Sequence, residues 1–180
     1  IVSLDQSPGE NAKALAKARG IDVSHITACV LDRPRHEKII EDLRSVGARI
    51  TMISDGDVAG VINTTDASTG IDMYVGQGGA PEGVLAASAL RCIGGQMEAR
   101  LHFRNDEERG RAHRVGITDL DRLYGLEDLV AEHTVFCATG VTNGELLEGV
   151  KIIGQSVQTE TLIMTSLDQA TRHVKTKRPV

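Results

Sequence analysis

The feature that most limits the fold is an alternation. Between Ile26 and Cys92, short apolar runs take turns with segments of helical spacing, joined by only a few residues. Ile26–Leu31 (ITACVL), Arg49–Ser54 (RITMIS) and Ile71–Val75 read as strands. Within His36–Val46, the residues Ile39, Ile40, Leu43 and Val46 make a helical stripe that Gly47 stops. A short helix over Val58–Ile62 and a longer one from Pro81, at its first helical position, to about Cys92 complete the series. Strands alternating with helices predict a mostly parallel or mixed sheet flanked by helices. Ahead of it, Ser7-Pro8-Gly9-Glu10 has the form of a capping box, opening a helix that stops at Gly20.

The pattern changes further on. Arg104–Arg114 (RNDEERGRAHR) predicts a solvated helix, and Asp119–Leu129 reads as short and irregular. His133–Thr139, Gly149–Ile153, Thr159–Ser166 and Thr171–Lys177 then read as strands with no helix between them. The C-terminal third is therefore expected to pair antiparallel. The whole is expected to be one α/β domain over residues 1–180.

Composition removes several classes of function. With no Trp, two Tyr and two Phe, the core must be aliphatic, and base stacking on aromatic rings has little to work with. A net charge of -5 also argues against a nucleic-acid partner. No apolar run approaches the roughly 20 residues that cross a bilayer, and the start turns polar at once. Neither a membrane nor a secretory route is expected, which points to the cytoplasm. Cys29, Cys92 and Cys137 form no CxxC pair and lie inside apolar runs, so they are expected to be reduced, buried thiols. The chain opens on Ile1, which suggests a piece of a longer protein.

The three strands of the alternating region each end in a polar signature: Asp32-Arg33-Pro34-Arg35-His36, Asp55-Gly56-Asp57, and Gly76-Gln77-Gly78-Gly79-Ala80-Pro81-Glu82. In a parallel sheet the carboxyl ends of the strands share one crevice, where ligands bind. Arginines two apart suit a phosphate, and paired aspartates suit sugar hydroxyls or a hard cation. A glycine-rich helix start suits an anion, and Glu82 in the first turn suits a divalent cation. Each signature also has a plainer account. The arginines fit a solvated turn, Asp57 fits a helix N-cap, and GGAPEG fits an ordinary strand-to-helix joint. His36 is placed in a first helical turn near the crevice. The other histidines, 25, 102, 113, 133 and 173, show no metal-ligand spacing. Thr139–Gly144 reads as a turn near the site.

Together VLDRPRHE (Val30–Glu37), ISDGDVAGVI (Ile53–Ile62), GQGGAPEGVLAASALRCIGGQMEARL (Gly76–Leu101) and CATGVTNGELLEGVK (Cys137–Lys151) resemble class II fructose-1,6-bisphosphatases. This bacterial type is similar in fold to the lithium-sensitive sugar and inositol phosphatases. The resemblance implies a phosphatase dependent on Mn2+ or Mg2+ that removes the 1-phosphate of fructose 1,6-bisphosphate, and in some relatives acts on sedoheptulose 1,7-bisphosphate. It implies a homo-oligomer with a small sugar bisphosphate as partner. Carried onto this chain, it makes Glu82 a metal ligand and the nearest candidate for a catalytic role. It makes Arg33, Pro34, Arg35, Asp55, Gly56, Asp57 and Gly79 substrate contacts. Family members are about twice as long. The Gly-Glu-Gly-Glu and Asp-Pro-x-Asp-Gly-Thr elements that carry their remaining metal carboxylates do not occur here. The chain is thus expected to be a C-terminal half, inactive alone. The rival readings are a phosphosugar-binding or regulatory module, and a purely structural oligomerisation half.

Overall fold

The computed structural model describes residues 1–179. Helix α1 (Pro8–Arg19) opens on the expected capping box: the Ser7 hydroxyl accepts from the Glu10 amide, and the Glu10 carboxylate accepts from the Ser7 amide. It closes at Gly20, whose left-handed φ of 67° a side chain would strain.

Strand β1 (Thr27–Leu31) runs at the centre of a parallel three-stranded sheet, between β2 (Arg49–Ile53) and β3 (Met73–Tyr74). Its residues point alternately to two helical layers. Ala28 and Val30 pack with Ile40 and Leu43 of α2 (Glu37–Ser45) and with Ala12 and Ala16 of α1. Complete burial of Leu43 is worth about 2 kcal/mol. On the other face, Gly60 of α3 (Asp57–Asn63) lies against Cys29, Ile53 and Tyr74. A methyl group there would come within 3.0 Å of Ile53, so the missing Cβ lets this helix sit close to the sheet.

Helix α4 (Ala80–Ile93) continues the second layer. Its Ala89 and Cys92, with Ile62 of α3, bury against Phe136, Leu162 and Met164 of a second sheet. That sheet is antiparallel, as expected: β8 (Ser156–Thr165) pairs with β6 (Val135–Thr139), with β7 (Lys151–Ile153) and along its other side with β9 (Thr171–Pro179). A small antiparallel pair, β4 (Glu98–Arg100) with β5 (Leu123–Gly125), and the helices α5 (Asp106–Arg114) and α6 (Leu126–Leu129) lie between the two halves in sequence. The architecture is α/β, with a parallel sheet, antiparallel C-terminal strands and flanking helices.

One expectation fails here. Cys29 and Cys92 are buried, but Cys137 is exposed. In β6 only the alternate positions face the helices, so Phe136 takes the buried side and Val135 and Cys137 face outward. Among the described residues no helix is long and apolar enough to cross a membrane.

Candidate active site

The strand order β2-β1-β3 puts the carboxyl ends of all three strands on one edge, with the β1 exit in the middle. The three polar signatures meet there, on three successive residues of the glycine-rich loop.

The first meeting is at Gln77. Pro34–His36 forms a single 3-10 turn after β1. From it the Arg35 guanidinium donates two hydrogen bonds to the Gln77 carbonyl, at 3.0 Å from Nε and 2.7 Å from Nη2. Arg33 remains at its own strand end, donating to the Asp32 carbonyl at 2.7 Å.

The second is at Gly78. Gly56 adopts the left-handed conformation, φ 78°, and this turns the chain from β2 into α3. Gly56 is the N-cap and Asp57 the first helical residue, so Asp57 does not cap the helix. Its carboxylate accepts the Val58 amide on Oδ1 at 3.0 Å and turns Oδ2 to the loop: a Cβ on Gly78 would stand 2.9 Å from that oxygen.

The third is at Gly79, the N-cap of α4. The Glu82 carboxylate folds back over it so closely that a Cβ on Gly79 would overlap Oε2. Ala80 opens the helix, one residue before the expected Pro81, and no side chain caps its N-terminal amides.

Arg35, Asp57 and Glu82 thus line one rim. Asp55 stands beside it in a cavity of about 400 Å3. Ser54, Asp55, Gly56 and Ala59 form one wall of that cavity, and Thr142, Gly144 and Glu145 the other. Neither Arg35 nor Glu82 reaches it. The turn read near the site as Thr139–Gly144 is therefore part of its wall. Among the described residues none of Arg33, Arg35, Asp55, Asp57 and Glu82 enters an ion pair, although pairs such as Arg104–Glu108 and Lys151–Glu148 form elsewhere in the chain. Arg35, Asp57 and Glu82, left without ion-pair partners on one rim, suit a charged ligand; Arg33 and Asp55 stand near but apart from that rim.

Two further residues belong to this place: Tyr74, which was not read from sequence, and His36, which was placed near the crevice but not inside the protein. Tyr74 borders Gly76, and its phenol is pushed up to about 12, mainly by burial and then by the Asp57 charge, with Arg35 acting the other way. It therefore stays protonated, an O–H donor beside the loop. His36 is fully buried, with both ring nitrogens hydrogen-bonded. Cys29, beneath the site, is no nucleophile: burial pushes its thiol up to about 11, and the Glu145 charge adds to this. The remaining histidines are all exposed.

Over residues 1–178 the chain matches the family described as bacterial fructose-1,6-bisphosphatase, glpX-encoded. The chain belongs to that family. Two curated proteins named D-fructose 1,6-bisphosphatase class 2/sedoheptulose 1,7-bisphosphatase illustrate the relation. Those of Microcystis aeruginosa (strain NIES-843 / IAM M-2473) and Synechococcus sp. (strain JA-3-3Ab) are each 36% identical over 188 residues. Each alignment takes in 97% of this chain and 54% of the relative, so the chain spans about half the length of the curated relatives it matches.

Within this chain the donor set present is incomplete as a metal site. Among the described residues no group of three or more His, Cys, Asp or Glu side chains is placed to hold a metal ion. Mg2+ wants about six oxygens in near-octahedral order. Glu82 and Asp57 lie over neighbouring glycines, but these residues alone do not make that site.

Proposed function

We propose that this chain is the substrate-holding part of a class II fructose-1,6-bisphosphatase, which hydrolyses the 1-phosphate of fructose 1,6-bisphosphate and also accepts sedoheptulose 1,7-bisphosphate. The same reading makes residues 1–180 one α/β domain of a cytoplasmic, homo-oligomeric enzyme. In it Arg33 and Arg35, presented by Pro34, hold the phosphate that is not cleaved. Asp55 and Asp57, splayed by Gly56, accept hydrogen bonds from sugar hydroxyls. Gly79 lets the ligand approach the backbone at the open start of α4, where amides and helix dipole favour an anion. Glu82 supplies one oxygen to a Mg2+ or Mn2+ ion whose other ligands lie outside these 180 residues. Such an ion, when bound, polarises a phosphoryl oxygen and activates water.

The observation that carries the reading is the convergence of the three signatures on Gln77, Gly78 and Gly79 in a chain of this family. Calorimetry tests it directly. The 180-residue chain should bind fructose 1,6-bisphosphate, and Arg33→Ala and Asp55→Ala should each weaken binding roughly 10- to 100-fold, as loss of a hydrogen bond to a charged group does. The chain alone should release no phosphate. Joined to the missing half of a relative it should do so with Mn2+, and Glu82→Ala should abolish the release. Failure of the unaltered chain to bind, or a joined protein indifferent to Glu82→Ala, defeats the proposal.

The incomplete metal donor set favours one alternative, a non-catalytic phosphosugar-binding or regulatory module. That module would bind equally well without metal and stay inert even when joined.

A further inference from the structure

His36 follows directly on the arginine pair but turns the opposite way, into the protein, where it is fully buried. A buried histidine is often a satisfied core residue and nothing more. Here its two bonds are more specific than packing requires. The Gln77 amide donates to Nε2 at 2.8 Å, and the Gln77 carbonyl oxygen lies farther off, 3.2 Å from the same nitrogen. A backbone N–H can only donate, so Nε2 carries a lone pair and the ring proton sits on Nδ1. That Nδ1–H donates to the carbonyl of Leu31, the last residue of β1, at 2.8 Å. The ring is a strut from the end of the central strand to the glycine-rich loop. It also lies close against the loop: a Cβ on Gly76 would stand 3.1 Å from His36 Cε1.

The neighbouring side chain completes the arrangement. Arg35 holds the Gln77 carbonyl, while His36 holds the Gln77 amide. Two consecutive residues of one 3-10 turn thus fix both polar groups of a single residue, 41 and 42 positions away in sequence. The loop is otherwise rich in glycine and free to take many conformations.

We propose that His36 is a positioning residue for phosphate binding: by fixing the Gln77 main chain it sets the direction of the Gly78 and Gly79 amides and the start of α4. This rests on the functional reading above, since it assumes that the loop amides meet the substrate. The residue itself touches no substrate.

Two substitutions separate the two halves of the strut. Asparagine places its amide N–H near the Nδ1 position and keeps the bond to Leu31, but it cannot reach Gln77. Glutamine places its amide oxygen near the Nε2 position and keeps the loop bond, but it abandons Leu31. His36→Asn should therefore leave the thermal midpoint near that of the parent, speed amide exchange at Gln77, Gly78 and Gly79, and weaken fructose 1,6-bisphosphate binding roughly 3- to 10-fold, the worth of one hydrogen bond. His36→Gln should do the reverse, lowering the midpoint while keeping affinity within about 2-fold. Gly76→Ala, which crowds the ring without removing it, should reproduce the exchange pattern of His36→Asn.

In the unaltered chain, a 15N–15N coupling across the hydrogen bond from Gln77 to Nε2 should be visible. That readout needs no ligand and no variant. Its absence overturns the strut. Its presence with unchanged affinity and exchange in His36→Asn overturns the positioning role. If the unaltered chain binds no bisphosphate at all, the functional reading fails first, and the positioning role falls with it while the strut stands.

Discussion

Single atoms decide much at the loops. A methyl group on Gly79 would meet only the tip of the Glu82 side chain, which can swing away, and the backbone there has an ordinary φ of -72°. Gly79→Ala should therefore fold normally, with a urea midpoint close to the parent's, and yet impair bisphosphate hydrolysis in the joined enzyme as much as Glu82→Ala does. Gly140→Ala is the contrasting case. Its methyl would collide with the backbone oxygen of Glu148, which cannot move without breaking the loop. It should cost roughly 2 kcal/mol or more by urea denaturation. The cysteines give a third test at this scale. Cys137 should react quickly with an aromatic disulfide reagent, while Cys29 and Cys92 wait for unfolding. Three fast thiols would contradict the burial of the other two. Residues of this kind are where sequence reading ran short. The need for Gly56 between two aspartates was legible, because a tight turn asks for a left-handed residue. The inward turn of His36 was not, because its partner lies 41 residues on. Nor was the exposure of Cys137, because an apolar run does not reveal which of its alternating faces is covered.

Among elements, those read from periodicity came out well. The stripe of α2, the capping box of α1 and the parallel order of the first strands follow from local pattern and short connections. β3 shrinks to Met73–Tyr74 because only those residues pair with β1. β8 starts at Ser156, three residues before the expected Thr159, because β7 turns directly into it and Ile153 pairs with Ser156. The segment read as irregular holds β5 and α6; β5 pairs with a strand more than 20 residues earlier, a relation no local window contains. The loop between β6 and β7 shows how such relations are built. Glu160, in the middle of β8, accepts the Glu148 amide on its carboxylate at 2.7 Å, and its backbone carbonyl accepts the Gly140 amide at 3.0 Å. Asn143 Oδ1 takes the Gly149 amide at 2.9 Å, closing the loop on itself. Removing the Glu160 side chain strands a partly buried N–H, a loss of about 1–3 kcal/mol. Glu160→Ala should lower the urea midpoint accordingly and accelerate exchange of the Glu148 amide, whereas Glu160→Gln, which retains an acceptor, should lose less. Because Thr142, Gly144 and Glu145 wall the cavity beside Asp55, the alanine variant should also bind bisphosphate more weakly. Equal stability of the two variants would show that the carboxylate does not anchor the loop.

For the molecule as a whole, charge decides the response to acid. At neutral pH the chain carries a net charge of -5, with 25 Asp and Glu against 20 Lys and Arg. Lysine and arginine bonds to Glu148 and Asp168 tie the second sheet together across elements. Hydrogen bonds from Lys151 of β7 and Lys175 of β9 hold the Glu148 carboxyl down at about 2, from an ordinary 4.5. The Arg172 guanidinium, then the Thr165 hydroxyl, likewise holds Asp168 below the usual carboxylate range. A carboxyl with a depressed folded-state pKa stabilises fully above its unfolded value, and that contribution disappears as pH falls through the folded one. Stability supplied by Glu148 should thus be flat from pH 7 to about 5 and drain away between about 4.5 and 2. Acid thus removes negative charge from a chain that keeps 20 Lys and Arg and six His, which then repel one another. The exposed Glu148 is open to screening, so its share should shrink in high salt. The expected result is specific. Glu148→Gln should have a lower urea midpoint than the parent at pH 7, and the two curves should converge as pH approaches 2. Molar salt should narrow the gap at neutral pH. Parallel curves across the whole range would mean that the substitution acts through loop geometry rather than charge, and the electrostatic tie from Glu148 to β7 and β9 would have to be abandoned.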